Sequence, residues 1–158
     1  MTLVYLALGA NVGDPLINIA KAIELLKGSL QEVKQAPIYR SKAVGVTDQP
    51  DFLNTAISGQ TDLTPQELFD LIKEVEQKVG RRESFRWGPR EIDIDIIFYG
   101  DQIVQTADLI IPHPRFQERD FVLRPLSDLN PNLLDPRSHE PLKLLFERLP
   151  IRQKSIIA

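Results

Sequence analysis

The order of secondary-structure signals in this sequence predicts an α+β domain, and three observations carry that prediction. Strand-like and helix-like stretches follow one another as β-α-β-β-α-β up to residue 100. Both helical stretches bear one apolar stripe, Leu16, Ile19, Ile23 and Leu26 in the first and Leu68, Ile72, Val75 and Val79 in the second, so each needs a single surface to cover. One antiparallel sheet can take both helices on one face, which is the ferredoxin-like βαββαβ sandwich. A chain of 158 residues holds enough apolar side chains for one core and too few for two. Residues 1–158 are therefore read as one domain with a C-terminal extension after the last of these strands.

The elements follow in order. LVYLALG, from Leu3, is an apolar run of strand length. In NVGDP, Asp14 suits a helix cap and Pro15 the first helical position; Gly28 ends that helix as the expected left-handed residue. A weaker strand covers roughly residues 32–40. The polar loop SKAVGVTDQPD, residues 41–51, is longer than most connections inside a compact domain and is a candidate functional loop. Residues 52–61 alternate as a third strand. Thr64-Pro65-Gln66-Glu67 is a capping box that opens the second helix, and Gly80 stops it. An arginine-rich loop leads into IDIDIIFYG, where alternation sets Asp93 and Asp95 on one face with Ile97 and Tyr99, and Ile92, Ile94, Ile96 and Phe98 on the other. After Gly100 the signals are a short strand near 102–104, a loop at 112–114, and helices near 122–129 and 142–149.

Composition narrows the function. Apolar residues make up 42% and charged residues 26% of the chain, which excludes disorder. No apolar run could span a bilayer and no basic, apolar leader opens the chain, so a cytoplasmic monomer is expected, away from membranes. The sequence has no cysteine, which rules out disulfides, thiolate catalysis and Cys-type zinc sites. A net charge of −3 argues against a general nucleic-acid binder. Yet Arg81, Arg82, Arg86 and Arg90 stand against the single Glu83 within one short window, a pattern suited to a small anionic ligand.

Two carboxylates on one strand face are commonly just a solvated face. Here the same face continues with apolar residues, and two like charges in a partly buried setting repel unless a cation joins them. Mg²⁺ takes hard oxygen ligands and usually one or two carboxylates plus substrate phosphates, so Asp93 and Asp95 are candidate ligands for two such ions. Arg90 follows the stiff Gly88-Pro89 pair three residues before Asp93, and its planar fork suits a phosphate clamp. Trp87 anchors that loop by packing and is counted with the substrate-side residues. In IPHPRFQERDF, Pro112 and Pro114 restrict the backbone around His113, with Arg115 and Arg119 close by. Such groups could stabilise charge on a transferring phosphoryl group. Phe52 and Asn54 share a strand face after the long loop; with Phe121 they could sandwich a flat ring and read its amide-like edge. GANVGD lacks the Walker and Rossmann patterns and is read as a tight strand-to-helix turn.

Taken together, YLALGANVGD, DQPDFLNTA, GRRESFRWGPREIDIDI, IPHPR and RDFVLRPL resemble the 6-hydroxymethyl-7,8-dihydropterin pyrophosphokinases, folate-pathway enzymes, in the family's order over most of the chain. The resemblance implies transfer of the β,γ-pyrophosphoryl group of ATP to the pterin hydroxymethyl group, giving AMP. It implies two Mg²⁺ on Asp93 and Asp95, with Arg81, Arg90, His113 and Arg119 on the triphosphate. It implies Phe52 and Phe121 stacking the pterin, Asn54 reading its edge, and Ser41, Lys42 and Val44 completing that pocket. Glu76, Arg82, Ile96, Leu109, Ile110 and Arg115 would contact ATP. Glu83 stands where a second loop arginine is frequent, Pro114 where an aromatic residue is, and Lys42 where a proline is.

The reaction so implied is in-line attack on the β-phosphorus with most catalysis from positioning and charge stabilisation, under loops 41–51 and 80–90 that close over the substrates. Two alternatives remain open from the residues alone. A two-metal nucleotidyltransferase would release inorganic pyrophosphate instead of AMP. A non-catalytic ferredoxin-like ligand or RNA-binding module would leave ATP intact.

Overall fold

The computed structural model describes residues 1–43, 48–81 and 88–157. The first strand, β1 (Thr2–Ala10), runs into helix α1 (Pro15–Lys27). Asp14 caps α1 as expected, its Oδ1 accepting from the Ile17 amide at 3.2 Å. Gly28 departs from expectation: its φ of −66° keeps it right-handed, so the helix ends without the left-handed turn. Helix α2 (Pro65–Val79) opens on the capping box, with Thr64 Oγ1 accepting from the Glu67 amide at 3.2 Å and Glu67 Oε1 accepting from the Thr64 amide at 2.9 Å. Gly80 ends it at φ 114°, a conformation costly to any other residue.

The single weak strand expected near 32–40 is two short ones, β2 (Gln31–Gln35) and β3 (Tyr39–Ser41). Pro37 lies at the break and has no amide to give to a ladder, and Thr55 Oγ1 instead donates to the carbonyls of Ala36 and Pro37. Both pair with β4 (Phe52–Thr61), which pairs with β1, which pairs with β5 (Asp93–Tyr99); every pairing is antiparallel. That order, β2-β4-β1-β5, is the ferredoxin-like arrangement the sequence predicts.

One face of this sheet is covered by α1 and α2, with Val4, Leu6, Leu8, Ile57, Ile92, Ile94 and Ile96 meeting Ile19, Ile23, Leu26, Leu68, Ile72 and Val75. Each such buried aliphatic side chain contributes about 1.5–3 kcal/mol relative to exposure. The far face is covered by the C-terminal extension, through α3 (Asp120–Leu129) and α4 (Leu142–Glu147). There Tyr5, Ala7, Ala56, Ile97 and Phe98 pack against Phe116, Val122, Leu123, Leu126 and Leu142, so the sheet is the middle of three layers. The short strand expected at 102–104 is β6 (Val104–Gln105), paired with β7 (Ile110–Ile111).

Strict alternation along β5 does not hold to its end. The register pairs Leu6 with Ile96 but Tyr5 with Phe98, which leaves Ile97 as an extra residue and makes a bulge. Beyond it the faces exchange: Phe98 joins the aspartate side and packs edge-on against Tyr5 and Phe116, while Tyr99 joins the helix side. Three rings, Tyr5, Phe98 and Phe116, therefore close the aspartate face below Asp95, and the polar pair is confined to one end of the sheet.

Candidate active site

At that end a cleft of about 360 Å³ opens over the sheet. Its floor is β1 and β5, with Gly9 paired to Asp93 and Ala7 to Asp95. On the other side Gly9 pairs with Asn54 of β4, so Asn54, Gly9 and Asp93 form one row across three strands. The strand end of β3, Ser41, with Lys42, makes one wall together with Phe52, and the start of α3, Arg119 to Val122, makes the facing one. Arg90, His113, Pro114 and Arg115 complete the rim. Eleven of the expected residues thus share one cavity: Ser41, Lys42, Phe52, Asn54, Arg90, Asp93, Asp95, His113, Arg115, Arg119 and Phe121. Val44, Arg82 and Trp87 lie outside the described residues.

A second cleft, of about 230 Å³, adjoins the first and shares Asp95, His113 and Pro114 with it. It is lined by Phe69, Ile72 and Lys73 of α2, by Ile94 and Ile96 of β5, and by the segment Ala107 to Ile110. Ile96, Leu109 and Ile110, expected on the ATP side, are here.

The local electrostatics are uneven. Burial, and next the neighbouring Asp93 carboxylate, push Asp95 up to about 7, with Arg119 pulling the other way. Such a carboxyl is only about half ionised at neutrality, and a bound cation would favour its charged form. His113 is pushed down to about 4 by burial and by Arg119, so its imidazole is neutral. Its Nδ1 accepts from the Arg115 amide at 3.2 Å, which leaves the ring proton on Nε2 as a donor. Asn54, 5% exposed, donates from Nδ2 to Ser41 Oγ at 2.7 Å, so the amide is held rigid at the cleft wall.

Two expected residues stand elsewhere. Glu76 lines neither cleft; its carboxylate is 2% exposed and accepts from Arg81 at 2.6 Å, from the Ile94 amide at 2.9 Å and from Lys73 Nζ at 3.1 Å. Arg81 is drawn with it, reaching 3.3 Å from Asp93 Oδ1 from behind the cleft wall. A carboxylate removed from water must be compensated, and Glu76 finds its donors within the protein. Its ties run to the first half of β5 and hold the strand that carries the aspartates.

Sequence reasoning passed over two asparagines. Asn11, 2% exposed, donates to Gln49 Oε1 at 2.8 Å and to the Pro50 carbonyl at 3.0 Å, and its Oδ1 accepts from the Arg90 amide at 2.8 Å. Asn18 donates to the Glu91 carbonyl at 3.1 Å. Together they join the β1–α1 turn to the ends of the two loops that border the cleft. The available signal was Asn18, an amide on the buried stripe of α1 beside Ile19 and Ala22.

A family model described as 7,8-dihydro-6-hydroxymethylpterin-pyrophosphokinase matches residues 5–131. A protein of Aquifex aeolicus named 2-amino-4-hydroxy-6-hydroxymethyldihydropteridine pyrophosphokinase is 49% identical over 143 residues, 90% of this chain and 89% of its own length. A Bacillus subtilis protein of the same name is 41% identical over 127 residues, 79% of this chain and 76% of its own. The mitochondrial folate synthesis bifunctional protein of Arabidopsis thaliana is 44% identical over 133 residues, and there the match spans 24% of the relative. A solved structure, Plasmodium falciparum HPPK-DHPS wild type with SDX-DHP, superposes at TM-score 0.73 over 94% of this chain and 43% of that one; at 14% identity this is a likeness of fold. No helix among the described residues is long and apolar enough to cross a membrane.

Proposed function

Since the chain belongs to the 7,8-dihydro-6-hydroxymethylpterin-pyrophosphokinase family, we infer that its larger cleft takes the pterin and the reacting phosphates and that the adjoining one takes the rest of the nucleotide. The enzyme transfers a pyrophosphoryl group from ATP to the hydroxymethyl group of hydroxymethyldihydropterin in folate biosynthesis. In this reading Phe52 and Phe121 cover the faces of the pterin, Asn54 and Ser41 meet its amide-like edge, and Gly9 leaves room for it on the floor. Arg90, Arg119 and Arg115 neutralise the phosphates, and neutral His113, common to both clefts, donates a hydrogen bond between them. Arg81 acts with Glu76 by fixing Asp93 and β5. Val44, Arg82 and Trp87 retain their assigned places beside the pterin and ATP.

The observation that carries the reading is one cavity lined by an acidic pair, by arginines, and by a buried amide together with two phenylalanines. Asp93 and Asp95 fit magnesium: they are hard oxygen donors on one strand face, and Asp95, raised first by burial and next by Asp93, is a carboxyl whose charged form a bound cation would favour. Two Mg²⁺ are proposed there, and when bound they would neutralise phosphate charge and hold the transferring group in line. No third His, Cys, Asp or Glu joins the pair in a metal-binding group among the described residues, consistent with phosphates and water completing the coordination. The protein's own part is to orient the hydroxymethyl oxygen toward the β-phosphorus and to exclude water.

The test is incubation with ATP, Mg²⁺ and 6-hydroxymethyl-7,8-dihydropterin. AMP and the pterin diphosphate are expected in equal amounts. Release of inorganic pyrophosphate would point to a nucleotidyltransferase, and unconsumed ATP to a binding module.

A further inference from the structure

Asp120 begins α3 between two residues of the cleft wall, Arg119 and Phe121. An acidic residue in the first turn of a helix ordinarily faces water, where it meets the positive end of the helix dipole. Asp120 is 2% exposed, and every hydrogen bond its carboxylate accepts comes from a segment some thirty-five residues further on. Oδ2 accepts from the Ser155 amide at 2.7 Å and the Ile156 amide at 2.9 Å, and Oδ1 accepts from Ser155 Oγ at 2.7 Å. The same segment then lies antiparallel beside β3. The Lys42 amide donates to the Ser155 carbonyl at 2.9 Å, Ile156 bridges to Ser41, and the Ile157 amide donates to the Arg40 carbonyl at 2.7 Å.

Residues 155–157 therefore join the two facing walls of the cleft, Ser41 and Lys42 on one side and Arg119 to Phe121 on the other, while lining neither cleft. They also lie beyond residues 5–131, the part matched by the family model. We propose that the Asp120–Ser155 latch is a positioning device for the pterin half of the site: it fixes the spacing between Phe121 and the Ser41–Asn54 pair, and so sets pterin affinity. The proposal rests on the assignment of this cleft to the pterin. The nucleotide side, lined by Phe69, Lys73, Leu109 and Ile110, receives no bond from the segment in its described contacts, so the latch reaches the nucleotide only indirectly, through Arg119.

The test uses the full chain with Ser155→Ala, Asp120→Ala and Asp120→Asn. Wild-type turnover of the pterin with ATP to AMP is established first; its absence would overturn the assignment of the cleft and, with it, the role of the latch toward the pterin. With turnover present, Ser155→Ala raises KM for the pterin about 3- to 10-fold, the effect of one lost charge-assisted hydrogen bond, with KM for ATP held within about twofold. Asp120→Ala does so more strongly. Asp120→Asn recovers most of the affinity, because its amide oxygen still accepts from the two backbone amides and its NH₂ can donate to Ser155 Oγ. Direct titration of the pterin against each variant in the presence of a non-hydrolysable ATP analogue follows the same order. Equal rises in both KM values, or an unchanged pterin KM with only a lowered melting temperature, would show a general structural support and overturn the proposal.

Discussion

Gly9 lies opposite Asn54 in the β1–β4 ladder, so close that a Cβ on the glycine would stand 3.1 Å from Asn54 Oδ1 and 3.8 Å from Phe52 Cδ1. Its backbone is ordinary strand, so alanine is tolerated by the sheet, and the cost falls on the cleft. Gly9→Ala is expected to raise KM for the pterin about tenfold, the scale of one displaced hydrogen bond, while the melting temperature stays close to wild type. Steady-state kinetics with each substrate varied in turn would check it. An unaltered pterin KM would mean that the ring does not lie over this row of residues.

Asp95 carries a prediction about pH. Its carboxyl holds a proton up to about 7 in the folded protein, whereas the unfolded chain gives it up in the ordinary carboxylate range. The folded state thus binds more protons than the unfolded one between these limits, and its stability falls as pH rises through about 7. In EDTA, Asp95→Asn should melt above wild type at pH 8, and the difference should close as the pH is lowered toward 4. Added Mg²⁺ should stabilise wild type and not the variant. Turnover should drop on the order of 10³-fold, as for loss of a principal electrostatic stabiliser. A variant that melts below wild type at pH 8 would contradict the account of a carboxyl raised by burial and by Asp93.

How far the sequence spoke depended on whether a signal was local. The capping box at Thr64 and Glu67, the Pro15 start and the β4 boundaries follow from neighbouring residues, and the structure reproduces them. The bulge at Ile97 depends on its pairing with β1, so alternation alone misassigned Phe98 and Tyr99. The same holds for the site. Asp93, Asp95, Phe52 and Asn54 stood out by chemistry and spacing, and RWGPR by its arginines. Gly9, Asn11 and Asp120 act through cross-strand and loop contacts of long sequence separation, which no single stretch displays. Glu76, expected among the ATP contacts, lines neither cleft and accepts from Arg81 and the Ile94 amide, a set of donors that no single stretch displays.

Asn11 is one such long-range tie, and its removal should be felt as motion at Arg90. Asn11→Ala removes the Oδ1 acceptor of the Arg90 amide and the Nδ2 donor to Gln49 Oε1 and the Pro50 carbonyl. At about 1 kcal/mol for each lost hydrogen bond, stability should fall by about 2–3 kcal/mol, and kcat/KM for ATP by 10- to 100-fold. Asn11→Asp keeps the acceptor for Arg90 and loses the two donors, so it should recover part of the activity. Thermal melts together with ATP kinetics would decide. Wild-type kcat/KM in Asn11→Ala would show that Arg90 is placed by other contacts.

His113 is one of only two histidines in the chain, which makes its titration directly observable. Burial and the nearby Arg119 hold it down to about 4, against an ordinary value near 6.5. A histidine kept neutral by the fold contributes stability that is complete above about 6.5 and is lost as pH falls through about 4. In the substrate-free enzyme, the ring-carbon resonances of His113 should stay flat from pH 8 to 5.5. The neutral ring then serves as a donor from Nε2, so His113→Gln, which keeps an N–H donor, should retain more turnover than His113→Ala. A His113 resonance that titrates near 6.5, with both variants equally impaired, would replace the neutral donor by an imidazolium.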